Sequence, residues 1–443
     1  MQRAIVLGGS FAGLLAARAL SDHAREVVVL EPDDLSQPGT GPGAPQRDQL
    51  HALLSMGHTH LERWFPGITQ QLVDSGAHHG TKDAIQFYVD GTRRHPVDVP
   101  MLSATRPLIE GHIRRRVLAL PNVQLLHARA THLLSTATRI TGVGYSETEQ
   151  TGSAADAGSR RKLDADLVVD AMGRSSRLST WLTNSGWDEL PTDRMRIDLG
   201  YATALFHRGD ELPGTVIAHA TPGPASGYQT SVSEPGALAA VEGNRWMVVL
   251  AGYTDYRPGR DPDEFRKRML RCVAPLQTVA EKCAMAEDIK TFHFASSQRR
   301  DFTRLSRFPG GLMAIGDSVA SVNPIYGQGL TLAVLQVNAL AIHLQSGAPA
   351  HAPALGYFRQ TGAIVNAVWQ LSTTADLAQP HVTGPYPRGY RLIRRIGDKI
   401  TSASLIDPTV NQAYMDVVHM RAHPRTLIQP GILLTATRVT ASR

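Results

Sequence analysis

The sequence predicts an α/β fold: a Rossmann-like nucleotide-binding domain that is interrupted by a β-rich domain and followed by a helical C-terminus. Three observations predict it. The strand-like run Ala4-Ile5-Val6-Leu7 leads into Gly8-Gly9-Ser10-Phe11-Ala12-Gly13 and then into helical patterning, the order of a nucleotide-binding βαβ unit. Far downstream, Gly311 to His343 repeats the strand, glycine turn and helix order. Between them, Tyr201–Phe206, Thr215–His219 and Trp246–Leu250 alternate as half-buried strands do.

The 443 residues are too many for one small core and suit closely packed domains. A content of 42% hydrophobic and 19% charged residues is that of a globular chain and excludes a disordered one. The longest apolar runs, Val27–Leu30 and Gly311–Ile315, are strand-sized, which excludes a membrane span. The opening strand leaves no room for a signal peptide. Cys272 and Cys283 lack metal-ligand spacing and read as reduced thiols of a cytoplasmic protein. The formal charge of +6 is dispersed without an aromatic-interleaved basic stripe, so nucleic acid is excluded as a partner. The clusters Arg114-Arg115-Arg116 and Arg391–Arg395 read as solvated helix faces, with attraction of an acidic substrate, membrane surface or partner the weaker reading. His58, His60, His78 and His79 form no ligand set, so no metal site is expected. Neither a Gly-x-Ser-x-Gly elbow nor a Walker loop is present.

Taken in order, residues 3–31 read as strand, turn, helix and strand, and 32–49, rich in Pro and Gly, as a loop. Helices follow at 50–64 and 106–119, then strands at 123–126 and 139–143. The polar stretch Glu147–Arg161 reads as an excursion without fixed structure. Leu167-Val168-Val169 is a buried strand ending at Asp170. Residues 196–260 are β-like, a helix covers 262–284, a strand covers 289–294, and helices follow 311–343 to the end. The domain boundaries expected are 1–180 and 299–345 for the nucleotide-binding domain, 181–298 for the β-rich substrate domain, and 346–443 for the helical region.

A dinucleotide turn needs glycine where the chain turns tightly, where a pyrophosphate approaches, and where helix packs on strand. Gly8 and Gly13 fill the outer places, and Ser10, small enough for close approach, replaces the middle one. The helix N-terminus at Phe11 and Ala12 offers free N–H groups to phosphate. Glu31 ends the second strand, where an acid accepts hydrogen bonds from an adenosine ribose.

Gly311–Asp317 is a strand ending in Gly316-Asp317, and Asp317 can accept hydrogen bonds from sugar hydroxyls. Pro324 then fixes a turn, and Gly327 and Gly329 let backbone approach a flat ring. The helix that begins near Gln328, Gly329 and Leu330 points its positive end at that ring. Asp170-Ala-Met-Gly173 is a second strand-end acid with a glycine.

This trio of motifs resembles the FAD-dependent monooxygenases of the aromatic-hydroxylase fold. The resemblance implies that the nucleotide-binding domain holds FAD, with Gly316-Asp317 on the ribityl chain. The Asp-Gly motif departs in part, because Ala-Met separates Asp170 from Gly173. Arg106 matches the family's arginine at the start of a flavin-facing helix; the alternative is a surface residue. Segments 44–54, 323–329 and 369–377 are similar to bacterial squalene-epoxidase-like flavoproteins, including polyether epoxidases of the monensin and lasalocid type. That makes Arg47, Gln49 and His51 candidate flavin contacts, although His51 reads equally as a hydrogen-bonded helix histidine. The Trp369 segment is either core or pocket wall.

The function implied is epoxidation of an alkene in an apolar polyketide or isoprenoid intermediate by O₂, through a flavin C4a-hydroperoxide. The flavin carries the chemistry and no catalytic side chain is assigned. Aromatic hydroxylation, ketone oxygenation, isoprenoid reduction and non-catalytic flavin binding are the alternatives. Halogenation ranks low, because no lysine matches the tryptophan-halogenase context. Reducing equivalents come from NAD(P)H directly or through a separate flavin reductase. Tyr201, Phe206, Tyr228 and Trp246 are candidates to line the substrate pocket.

Overall fold

The computed structural model describes residues 1–35, 43–148, 161–222 and 234–441. The loop glycines around Gly39 and most of the polar stretch after Glu147 lie outside the described residues, as does Tyr228. Two sheets organise the chain. The first is seven-stranded, in the order Leu312–Ala314, Leu167–Asp170, Arg3–Leu7, Glu26–Glu31, Val123–Ser135, Ile140–Glu147 and Arg161–Asp164. Its first five strands are parallel and the last two antiparallel. The central strands are continuous apolar runs because helices cover them, which is how parallel sheets satisfy their faces. Thus Ile5, Val27, Val29 and Val168 are fully buried against helices Phe11–Ser21 and Gly329–Gln345.

The second sheet has eight strands, in the order Ala320–Ser321, Lys290–Arg300, Thr192–His207, Arg245–Tyr253, Gly236–Val241, Ile217–Thr221, Ile85–Val89 and Thr92–Arg93. It takes in Ile85–Val89 and Thr92–Arg93, which lie in the span 1–180 expected to serve nucleotide binding. Ile85–Val89 pairs in parallel with Ile217–Thr221, a partner far along the chain. Several expected helices also differ. Residues 50–54 run extended, and the helix begins at Ser55. The stretch 262–284 is two helices, Pro262–Met269 and Ala274–Lys282, each started by a proline in its first turn. Cys272 and Cys283 are free and buried in the core beneath them. Helices Leu355–Asp376, Tyr390–Ser404, Pro408–Val418 and Pro430–Ala441 make the C-terminal region. No helix among the described residues is long and apolar enough to cross a membrane.

Candidate active site

The carboxyl ends of the parallel strands open into a cleft of about 960 Å³, the place where α/β sheets bind ligands. It runs from Leu30, Glu31 and Pro32, past Gly8, Ser10 and Ala12, to the face of the second sheet. The fingerprint glycines explain its near end. Gly8 has φ +108°, and a Cβ there would sit 2.6 Å from the Ala171 carbonyl oxygen. A Cβ on Gly13 would fall 1.8 Å from the Gly8 carbonyl oxygen, so only glycine lets helix 11–21 pack on its strand. Gly13 therefore serves packing and does not line the cleft. Glu31 accepts from the Gly9 N–H at 2.6 Å and the Asp33 N–H at 2.8 Å. Burial nonetheless pushes its carboxyl above the ordinary range.

Glu110, which sequence reasoning passed over, organises the charges around the cleft. Its Oε1 accepts from Arg106 Nε at 2.6 Å, the Ser10 hydroxyl at 2.9 Å and the Phe11 N–H at 3.3 Å. Its Oε2 accepts from Arg47 Nε at 3.2 Å, and Arg47 also donates to Asp33 at 3.4 Å. Burial raises the Glu110 pKa. The charges of Arg106 and Arg47, with the Arg106 and Ser10 hydrogen bonds, outweigh burial and hold it at about 2. Arg106 stands at the start of helix Arg106–Leu118, which Thr105 caps by accepting from the Leu108 N–H. Besides Glu110, Arg106 donates to Ser10 at 3.1 Å and approaches His51 Nε2 at 3.1 Å.

His51 lies on an extended segment and not on a helix. Its Nδ1 is 2.8 Å from the Gln49 carbonyl, an acceptor, so Nδ1 carries the proton and Nε2 accepts from Arg106. Burial, then the Arg106 charge, lower its pKa to about 3, so the ring is neutral. Gln49 does not face the cleft. Its side-chain oxygen accepts from Thr203 at 2.7 Å and its amide donates to the Lys290 carbonyl, which fastens segment 44–54 to the second sheet.

The return segment completes the floor. The Gly316 N–H donates to Gln336 at 2.6 Å, and Gly316 has φ +69° with Ala12 close by, so strand 312–314 turns sharply and presents Asp317. Asp317 accepts from Ser321 at 3.3 Å, and the rest of its carboxylate opens to the cleft. Burial raises its pKa. Gly173, Pro324, Gly327, Gly329 and Leu330 also line the cleft. Asp170 and Gln328 do not. Asp170 is fully buried, accepting from the Met172 N–H at 2.9 Å and the Ser176 hydroxyl, so it shapes the turn before Gly173. Gln328 is buried at the start of helix 329–345, whose Leu332 N–H bonds its carbonyl. Behind Tyr326, Asp376 accepts from Asn323 at 2.6 Å and the Tyr326 hydroxyl at 3.0 Å, and burial lifts its pKa to about 7. The Trp369 segment is thus core, with Asp376 bracing a residue of the cleft wall; Trp369 itself lies under the Arg299 guanidinium.

The second sheet turns an apolar face to the cleft: Leu199, Tyr201, Val249, Ala251, Phe292 and Phe294. Of the pocket residues expected from sequence, Tyr201 lies here. Phe206 and Trp246 do not. They pair across neighbouring strands on the opposite face, fully buried with Phe265, Met269 and Leu276, and the Trp246 indole donates to Glu211. Strand alternation forces this split: Tyr201 and Phe206 are five apart, an odd separation that sends them to opposite faces. Among the described residues no cluster of His, Cys, Asp or Glu is placed to hold a metal.

The chain is 31% identical over 430 residues to protein Rv3254 of Mycobacterium tuberculosis, covering 93% of this chain and 88% of that protein. It belongs to the family of Rv3254. No protein-family model matches it. Among solved structures it is similar to the flavin-dependent brominase Bmp2, with TM-score 0.68 at 14% identity over 99% of this chain and 98% of that one. It is also similar to p-nitrophenol 4-monooxygenase PnpA from Pseudomonas putida DLL-E4, with TM-score 0.65 at 16% identity over 95% and 98%. These likenesses establish the fold: the α/β architecture with inserted sheet and helical C-terminus is the one those two structures share.

Proposed function

We propose that this protein is an FAD-dependent monooxygenase that epoxidises the double bond of a largely apolar polyketide or isoprenoid molecule. The observation that carries the reading is the single cleft that joins a dinucleotide fingerprint to an apolar sheet face. The flavin dependence of Bmp2 and the monooxygenase activity of PnpA on the same fold support it.

The residues fit FAD. Gly8, Ser10, Ala12 and Arg106 would hold the pyrophosphate, Glu31 the adenosine ribose and Asp317 the ribityl chain. Gly327 and Gly329 would admit the flat ring, with helix 329–345 directing its positive end there. The reduced flavin supplies the electrons that activate O₂. The chain's own part is to hold, dry and orient. Leu199, Val249 and Phe292 exclude water from the reacting face. Glu110 and His51 fix Arg106, and Asp376 fixes Tyr326. No lysine lines the cleft among the described residues, which favours oxygen transfer over halogen transfer. Aromatic hydroxylation is the second reading, favoured by the aromatic side chains of Tyr201, Phe292 and Phe294 on the cleft wall. With one glycine fingerprint in the sequence, reduced nicotinamide binds transiently or a separate flavin reductase supplies reduced FAD, and the resemblance to the epoxidase-like flavoproteins favours the reductase.

Purified protein should release FAD, and not FMN, on denaturation. The Asp317→Ala variant should retain it at least about tenfold more weakly, the scale of one charged hydrogen bond. Release of FMN, or protein that takes up no FAD, rules the reading out.

A further inference from the structure

The deep part of the cleft lies on strands Gly236–Val241, Ile217–Thr221 and Ile85–Val89, across the sheet from the edge strand beside Asp317. One cross-strand row, Thr203, Val249, Ala237, His219 and Phe87, crosses this face. Three strand spacings of about 4.8 Å separate the first of these from His219, so His219 stands about 14 Å along the row from Thr203. The Thr203 hydroxyl is taken by Gln49, and Val249, Ala237 and Phe87 offer no hydrogen bond. Ile217, Leu54, Met101 and Val418 surround this end with further apolar surface.

His219 is the exception. Its ring opens to the cleft, held edge-on by Phe87 at a centroid distance of 6.0 Å and 85°. No described residue donates to it or accepts from it, and it is half-buried in the cleft wall. Burial, then the charge of Arg94, lower its pKa to about 4, so at neutral pH it presents one N–H donor and one nitrogen acceptor. Because the ring is half-buried and lines the cleft, its nitrogens are left for water or a molecule bound there. The bound substrate is the partner the geometry provides.

We propose that His219 anchors the substrate by hydrogen bonding to a neutral hydroxyl or carbonyl, and so selects an apolar molecule that carries one such oxygen function away from the oxidised carbon. This rests on reading the cleft as a monooxygenase substrate pocket. A hydrocarbon would leave His219 unpaired, and a carboxylate would meet a neutral ring with one N–H, the Arg94 guanidinium nearby being held by Ser404 and Asn411.

The test uses protein as purified, its flavin content measured separately. Equilibrium dialysis gives the affinities of 2-naphthol, 2-methylnaphthalene and 2-naphthoate for wild type, His219→Leu and His219→Gln, with melting curves to confirm folding. The ratio of 2-naphthol to 2-methylnaphthalene affinity should fall about tenfold from wild type to His219→Leu, the worth of one hydrogen bond, and return most of the way in His219→Gln. An unchanged ratio in His219→Leu overturns the proposal. So does wild type that binds 2-naphthoate more tightly than 2-naphthol, or that binds no probe. Absence of flavin would instead overturn the cofactor reading, and the ratio is read independently of it.

Discussion

Arg106 Nη1 lies 3.1 Å from His51 Nε2, and this contact joins the extended stretch 50–54 to a helix that begins 55 residues after His51. The Gln49 carbonyl fixes the histidine tautomer, the neutral ring accepts from the guanidinium, and Glu110 neutralises the charge. Three chain segments are thus locked at the point where the fingerprint helix, with Ser10, meets the cleft. A cationic His51 could not accept from Arg106, so its low pKa is a consequence of the same arrangement.

Glu110 should carry much of that stability. Its folded pKa is depressed from 4.5 to about 2, so its contribution is fully present above about pH 4.5 and is lost as pH falls through 2. The shift corresponds to roughly 3 kcal/mol. Glu110→Gln leaves Arg106 and Arg47 buried without their shared counter-charge, a loss of about 3–5 kcal/mol at pH 7. Urea unfolding from pH 7 to pH 3 should show the stability gap between wild type and variant narrowing below pH 4.5. A constant gap across that range contradicts the role.

Two glycines should separate packing from cofactor approach. Gly13→Ala places a Cβ 1.8 Å from the Gly8 carbonyl oxygen and should destabilise the fold by about 1–3 kcal/mol or more, losing FAD with it. Gly329→Ala meets nothing within 4 Å of its new Cβ, yet that residue lines the cleft. It should melt like wild type while holding FAD more weakly. Equal effects of the two substitutions on melting and on FAD retention contradict the assignment.

The second sheet offers a matched pair. Trp246→Ala should cost about 3–5 kcal/mol of stability, as emptying a packed core site does, and leave the KM of folded enzyme unchanged. Tyr201→Ala widens the cleft beside Phe292 and should raise KM with the smaller loss of stability. Thermal melting and steady-state kinetics on both variants decide it; a KM change confined to Trp246→Ala reverses the two faces.

What the sequence made legible follows physical rules that act locally. The turn Gly8–Gly13, the strand-end Glu31 and Gly316-Asp317 are set by backbone geometry within a few residues, and each lies at the carboxyl edge of the first sheet. Alternation marked Tyr201, Phe206 and Trp246 as strand residues, but a period of two leaves the inward face unnamed until helices 262–269 and 274–282 take one side. Glu110 reads as an ordinary helix acid, and only its spacing of four from Arg106 hinted at a pair; Ser10 and Arg47 reach it from 100 and 63 residues away. Strand Ile85–Val89 pairs with residues whose separation no local pattern encodes. Asp170 and Gln49 were placed on the cofactor because of motif position, whereas their partners are Met172, Ser176 and Thr203 of the protein itself.

The most direct measurement is isotopic. The FAD-loaded protein, given a reductant, ¹⁸O₂ and an alkene-bearing apolar substrate, should form a product that carries one ¹⁸O atom, as an epoxide or its ring-opened successor. Label on an aromatic ring would move the assignment to hydroxylation. A substrate oxidised without label, or reduced at its double bond, would contradict monooxygenation itself.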